Sequence, residues 1–184
     1  MSRLTIELPV QEDHTAFNLR RWEELLADTE LGQRLARIEG RIETDRHGYL
    51  IMSPPPGFLH GSYQYRIARL LEDFLPHGRS VTECPISTAD GVRAADVGWI
   101  SLTKLAAIGE NICLTEAPEI CVEVISPSNT RAEMKEKAAL FFAAGAQEFW
   151  SCDADGRMTF LTSPDSIGAP TSQLCPQFPL AVKL

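Results

Sequence analysis

Two acidic side chains in this 184-residue chain stand where acidic side chains are costly. Glu123 interrupts the apolar run from Ile120 to Ile125. Alternation along a strand puts Glu119, Cys121, Glu123 and Ile125 on one face, with Ile120, Val122 and Val124 on the other. A carboxylate flanked by bulk on both sides must find a partner or take a proton, because desolvating it alone costs several kcal/mol. That partner is either a bound cation or a structural Arg or Lys. Asp96 lies in a second strand-like run, Val92 to Ile100 (VRAADVGWI), where Ala94, Asp96, Gly98 and Ile100 share a face and small neighbours leave room beside the carboxylate. Two carboxylates on neighbouring strands are hard oxygen donors, suited to a cation such as Mg²⁺ or Mn²⁺ that lowers the pKa of a bound water. Other familiar chemistries lack their parts. The chain has no phosphate-binding P-loop, no GxSxG elbow, no HExxH and no zinc-ligand spacing.

The elements around these residues are legible by period and punctuation. Asn18 to Asp28 reads as a helix with Asn18 as its cap, and the residues up to 16 as a loose arm. Arg41 to Glu43 and Tyr49 to Met52 flank the turn Asp45-Arg46-His47-Gly48, a hairpin. Pro54-Pro55-Pro56-Gly57 cannot continue a ladder and forms an extended loop. From Ser62 the stripe Tyr63, Ile67, Leu70, Leu71 and Phe74 marks an amphipathic helix that ends before Pro76. Val81 to Ile86 and Val92 to Ile100 follow as strands, then a short helix from Leu102 to Ile108. The Glu123 strand stops at Ser126-Pro127. One of Ser128, Asn129 or Thr130 caps a helix from Arg131 to Ala144, whose end at Gly145 suits a C-terminal cap. Gln147 to Ser151 and Arg157 to Thr162 make a second hairpin, and a last short strand falls around Leu180 to Val182. Trp99, Trp150, Phe141 and Phe142 are core residues on this pattern. The sum is one mixed α/β domain.

Composition sets limits on partners and location. With 44% hydrophobic and 23% charged residues the balance is that of a globular protein. The opening segment lacks the plan of a signal peptide, and no apolar run approaches a membrane span, so the expected location is the cytoplasm. The five cysteines are odd in number and contain no CxxC pair, which predicts reduced thiols with Cys121 in the core. A net charge of -8 argues against a broad, nonspecific grip on a polyanion, although a local basic groove remains compatible with it.

Taken together, RIETDRHGYLIMSPPPG, His60 with its following helix, AADVGWI, PEICVEVISPSN and EMKEKAALFFAAGAQEFWSCDADGR resemble the Uma-type endonuclease family of the PD-(D/E)XK restriction-endonuclease-like superfamily. The resemblance runs from about Arg41 to Phe160 and weakly through Phe178 to Val182. It implies a restriction-endonuclease-like fold, a central mixed β-sheet flanked by helices, spanning residues 1–184. It further implies Mg²⁺ or Mn²⁺ as cofactor and DNA as substrate, with a homodimer as the arrangement for cutting two strands. Carried over by position, Asp96 matches the aspartate of the family's PD element, with Ala95 where the family has proline. Glu123 matches the second carboxylate. Glu43 matches a glutamate of the first strand region that could complete the metal shell or orient water, although Arg41 and Arg46 are near enough to satisfy it. Lys137 matches the lysine of the following helix.

One departure stands out, because the superfamily's common lysine, two residues after the second carboxylate, is Ile125 here. The helix itself leaves the substitute open. At about 100° per residue, Met134, Ala138, Phe141, Phe142 and Gly145 form its apolar stripe, and Lys135 and Lys137 border that stripe on opposite sides by similar angles. Only the resemblance favours Lys137. His60, read as a loop residue, could touch a phosphate but is assigned no part in the chemistry. The rival expectation is a noncatalytic nuclease-like fold serving as a binding module, supported by the acidic total, Ala95 and Ile125. A small-molecule hydrolase using the same carboxylates is a third.

Overall fold

The computed structural model describes residues 13–184 apart from 28, 36, 38, 39, 110, 111 and 128. Its first half runs α1 (His14–Ala27), α2 (Thr29–Leu35), β1 (Arg41–Thr44), β2 (Leu50–Ser53), α3 (Phe58–Phe74), β3 (Gly78–Thr88) and β4 (Gly91–Ser101). Its second half runs α4 (Leu102–Ile108), β5 (Ile120–Val124), α5 (Arg131–Ala143), β6 (Glu148–Cys152) and β7 (Met158–Leu161). Strands β3 to β7 form one mixed sheet in chain order, and β1 and β2 form a separate hairpin. The sheet is antiparallel except at β5 and β6, which run parallel and are therefore joined by a crossover containing α5.

Each face of the sheet carries its own core. On one, Tyr63, Ile67 and Leu71 of α3 pack on Val97, Trp99, Ile120, Val122 and Trp150, and the tail residues Cys175, Phe178 and Val182 complete the layer. On the other, Ala138 and Phe141 of α5 pack on Cys84, Ile86, Ala95, Cys121 and Phe149. The tail is pinned by a buried carboxylate. Glu148 is 1% exposed and accepts hydrogen bonds from the Trp150 indole, the Ser172 hydroxyl and the amides of Gln173 and Leu174. All five cysteines are free and buried, and desolvation pushes the Cys84 and Cys152 thiols up to about 12.

Several boundaries differ from those read in the sequence, each for a local reason. Helix α1 starts at His14, where Asp13 Oδ2 accepts from the Thr15 and Ala16 amides, so the last residues assigned to the loose arm are helical. Residues 1–12 of that arm lie outside the described residues. Asn18 is no cap; it is buried inside α1, with its amide donating to Ser87 Oγ and to the Thr88 carbonyl at 2.9 Å each. Helix α3 begins at Phe58, so His60 is helical and does not belong to a loop. The expected last strand reduces to a single bridge between Arg157 and Ala181.

Asp96 occupies a break in the sheet. The β3–β4 ladder bonds Thr82 to Val97 and Cys84 to Ala95 but omits Glu83 and Asp96 between them, and the β4–β5 ladder stops at Val97 and Val122, one step before Asp96 and Glu123. Glu83 adopts φ 51, a left-handed conformation that costs a residue with a Cβ on the order of 1 kcal/mol or more. The alternation expected along β4 changes here as well. Ala95 joins Ile100 in the α5-side core, an odd spacing that strict alternation sends to opposite faces.

The hairpin of β1 and β2 is docked through the β3–β4 turn. Val92 N donates to Thr44 Oγ1 at 3.0 Å, and Gly91 at φ +93 leaves no room for a Cβ, which would lie 2.3 Å from the Thr44 carbonyl oxygen. Gly91→Ala is expected to lower unfolding free energy by about 1–3 kcal/mol from the backbone conformation, with the collision adding to it. Urea unfolding midpoints would show this, and an unchanged midpoint would remove the claim that this turn seats β1.

Candidate metal centre

The four residues singled out in the sequence line one cavity of about 790 Å³, between α3, α5 and the C-terminal end of β5. Asp96 arrives from the break in β4, Glu123 from β5, Glu43 from the docked hairpin and Lys137 from α5. Lys137 is the decisive cation, with Nζ 2.9 Å from Glu123 Oε1 and 3.8 Å from Glu43 Oε1. Lys135 instead faces outward, 69% exposed, near Asp165 at 3.6 Å. The choice that helical angles left open is thus made by packing: burying Ala138 and Phe141 rolls α5 so that Lys137 reaches the cavity. Glu133, four residues before Lys137 on the same helix, is engaged elsewhere and closes a capping box with Thr130. That box also takes the amides of Thr130 and Glu133, two donors the helix start would otherwise offer to a phosphate.

Three groups missed in the sequence complete the surroundings of Asp96. The Arg41 guanidinium bonds Asp96 Oδ1 and also clamps Glu83 through Nε at 2.6 Å, so it does not satisfy Glu43 as its position in β1 suggested. Gln64 Nε2 donates to Glu83 Oε1 at 2.6 Å and to Asp96 Oδ1 at 3.3 Å. His60 Nε2 lies 3.3 Å from Asp96 Oδ2, the oxygen that also accepts the Val124 amide at 2.6 Å. Glu43 Oε1 accepts the Ala94 amide at 2.7 Å, which ties β1 to β4 beside the site.

These contacts drive the two central carboxylates apart in acidity. Burial works against the Asp96 charge, but His60, Arg41 and Lys137 outweigh it and hold the carboxyl down at about 2. Burial dominates at Glu123 and, with the Asp96 charge adding to it, pushes that carboxyl up to about 7 in spite of Lys137 and Arg41. Asp96 raises His60 above its ordinary value against the opposing effect of desolvation.

A family model described as "Putative restriction endonuclease", Uma2, matches residues 22–179. The chain belongs to the Uma2 family. Among solved structures, one titled "Crystal structure of a putative nuclease belonging to DUF820 from Anabaena variabilis ATCC 29413" is similar at a TM-score of 0.63. The two share 15% sequence identity, over 82% of this chain and 93% of that one, a likeness of fold alone. No curated protein matches the chain.

Restriction-endonuclease-like proteins generally work with a divalent metal, and the donors of this Uma2 chain suit one. Glu43, Asp96 and Glu123 bring carboxylate oxygens to a single cavity, and Glu123 Oε1 is a buried atom without a hydrogen bond of good geometry. Among the described residues no three His, Cys, Asp or Glu side chains already converge as a cage. Arg41, His60 and the Val124 amide hold Asp96, while the Lys137 ammonium stands against Glu123.

Proposed function

We propose that this Uma2-family chain is a Mg²⁺-dependent endonuclease that hydrolyses DNA phosphodiester bonds. The observation that carries the reading is Lys137, an ammonium delivered from α5 to within 2.9 Å of Glu123, while the position two residues after Glu123, where the superfamily commonly has its lysine, is Ile125. Asp96 and Glu123, with Glu43 beside them, would hold the ion, which supplies a Lewis acid that makes water nucleophilic and offsets charge on the phosphate. Lys137 then faces the scissile phosphoryl group and stabilises the negative charge that grows on its oxygens. Glu43, fixed through Oε1 by the Ala94 amide, has its Oε2 3.7 Å from Arg93 and would use that oxygen to orient the attacking water. Arg41 stays charged throughout, because its bond to Glu83 and the neighbouring Asp96 and Glu123 outweigh its burial.

Plasmid and single-stranded DNA incubated with the purified protein in Mg²⁺ or Mn²⁺ test the assignment. Lys137→Met is expected to slow cleavage on the order of 10²-fold, the scale of losing one group that stabilises transition-state charge. Lys135→Met should stay within about twofold, since surface changes of this kind are close to neutral. Equal cleavage by both variants and the wild type would assign the activity elsewhere.

A second reading, a noncatalytic binding module, is favoured by one contact, the occupation of Asp96 by Arg41. Calorimetric titration with Mn²⁺ separates the two, because ion binding that is lost in Glu123→Gln belongs to the first alone. No helix among the described residues is long and apolar enough to cross a membrane, which accords with our placing the enzyme in the cytoplasm. A homodimer would bring two such sites together, and sedimentation would show it.

A further inference from the structure

The cavity changes character between its floor and its rim. Asp96 is 1%, Glu123 5% and Glu43 7% exposed, whereas Phe58 is 87% and Leu59 62% exposed at its mouth. Pro54, Pro55 and Pro56 continue that rim, each of them exposed. Isolated apolar side chains on a surface are ordinary, but a run of them around one opening marks a contact surface. The fold does not use these residues. The apolar stripe of α3 that builds the core is Tyr63, Ile67 and Leu71, and Phe58 and Leu59 are absent from both cores.

We infer that this rim stacks an unpaired nucleobase, so that the substrate of the site is a nucleic acid with single-stranded nucleotides and not an uninterrupted duplex. The inference rests on the nuclease reading above and specifies its substrate class. Charge is the first reason. A net charge of -8 disfavours a broad grip on duplex phosphates by counterion release, which gives weight to a binding term that does not scale with phosphate neutralisation. Base stacking on aromatic side chains is such a term, and it is tolerant of sequence because every base has a π face. Complementarity is the second reason. Lys137, which lines the cavity beside Glu123, is a cation at depth for a phosphate, while the rim offers an apolar platform at the mouth, the division a nucleotide itself has. Size is the third. About 790 Å³ is the scale of a pocket for one small ligand, and a nucleotide with its phosphate in such a pocket can lay its base on the rim only after that base has left the duplex stack.

Fluorescence anisotropy in chelator, where nothing is cut, tests this with labelled oligothymidylate and a blunt duplex of equal length. The wild type is expected to bind the oligothymidylate at least about tenfold more tightly than the duplex. Phe58→Ala is expected to lose at least about fivefold on the oligothymidylate, the low end of one base–aromatic stack. Its duplex binding and urea midpoint should not change, because the side chain is outside the cores. Phe58→Trp should restore the affinity, with its indole fluorescence quenched on binding. Duplex preference, undetectable oligothymidylate binding, an affinity indifferent to Phe58, or a Phe58-dependent dimer in sedimentation would each overturn the inference. Phe58-dependent single-strand binding without cleavage of any substrate would uphold it while removing the endonuclease reading. Cleavage confined to duplex and independent of Phe58 would do the reverse.

Discussion

Asp96→Asn is expected to lower the rate of DNA cleavage by on the order of 10²–10³-fold while leaving the protein folded. Asparagine keeps the side-chain shape and an oxygen for the Val124 amide, which Asp96 Oδ2 accepts at 2.6 Å. What it removes is the negative charge, and with it the hard donor on which ion binding depends. The guanidinium of Arg41 retains Glu83 as its partner, so no buried cation is abandoned. Asp96→Ala tests something else. It leaves the buried Val124 amide without its acceptor, at a cost of about 1–3 kcal/mol, while Arg41 keeps Glu83 as it does in the asparagine variant. Single-turnover cleavage and urea unfolding of both variants, side by side, separate lost chemistry from lost structure. Cleavage by Asp96→Asn within about threefold of wild type would remove Asp96 from the chemistry.

Glu123→Gln is expected to remove a fall in stability that the wild type undergoes between about pH 4.5 and 7 in the absence of metal. The carboxyl has its folded pKa raised from 4.5 to about 7, so the folded chain binds this proton more tightly than the unfolded one. Its stabilising contribution is complete below the unfolded value and is lost as pH rises to the folded value, on the order of 3 kcal/mol at about 1.4 kcal/mol per unit. Glutamine has no proton to lose and shows no such decline. The Asp96 window lies elsewhere. With its pKa lowered to about 2, its contribution is present above 3.8 and lost only as pH falls from there. His60, raised above its ordinary 6.5, loses its contribution as pH climbs through the folded value, in wild type and variant alike, so it cancels in their difference. Urea unfolding in chelator at pH 5 and 7.5 measures that difference, and parallel behaviour of the two proteins would contradict the buried, proton-retaining Glu123.

The parts of the site that were legible in the sequence are those whose signals are local. Glu123 shows itself because a charge within an apolar run contrasts with its neighbours, and the start of α5 because Ser128, Asn129 and Thr130 all offer a cap there, of which the fold uses Thr130. Both hairpins carry their turns between apolar runs. Lys137 could be narrowed to one of two lysines and no further, since the roll of α5 depends on what the sheet presents to Ala138 and Phe141. His60 was hidden by its helix start. Gly57 caps α3 without a side-chain hydrogen bond, so nothing in Pro-Pro-Pro-Gly announces a helix at Phe58. Arg41 and Glu83 were hidden for a different reason. Their meeting is a long-range event, and the left-handed backbone at Glu83 belongs to a residue type that gives no warning of it. The tail was misread because its last stretch makes a single bridge, in which Met158 N donates to the Leu180 carbonyl and Val182 N to the Gly156 carbonyl, and is otherwise held by the core packing of Val182.

The Glu148 carboxylate has a bearing on how the protein is made. Trp150 and Phe160 emerge from the ribosome well before Cys175 and Phe178, the residues that cover them. During translation the part of this layer that the tail covers therefore waits open, because the Ser172, Gln173 and Leu174 donors of Glu148 are still within the exit tunnel. The interval closes when residues 172–182 clear the exit tunnel.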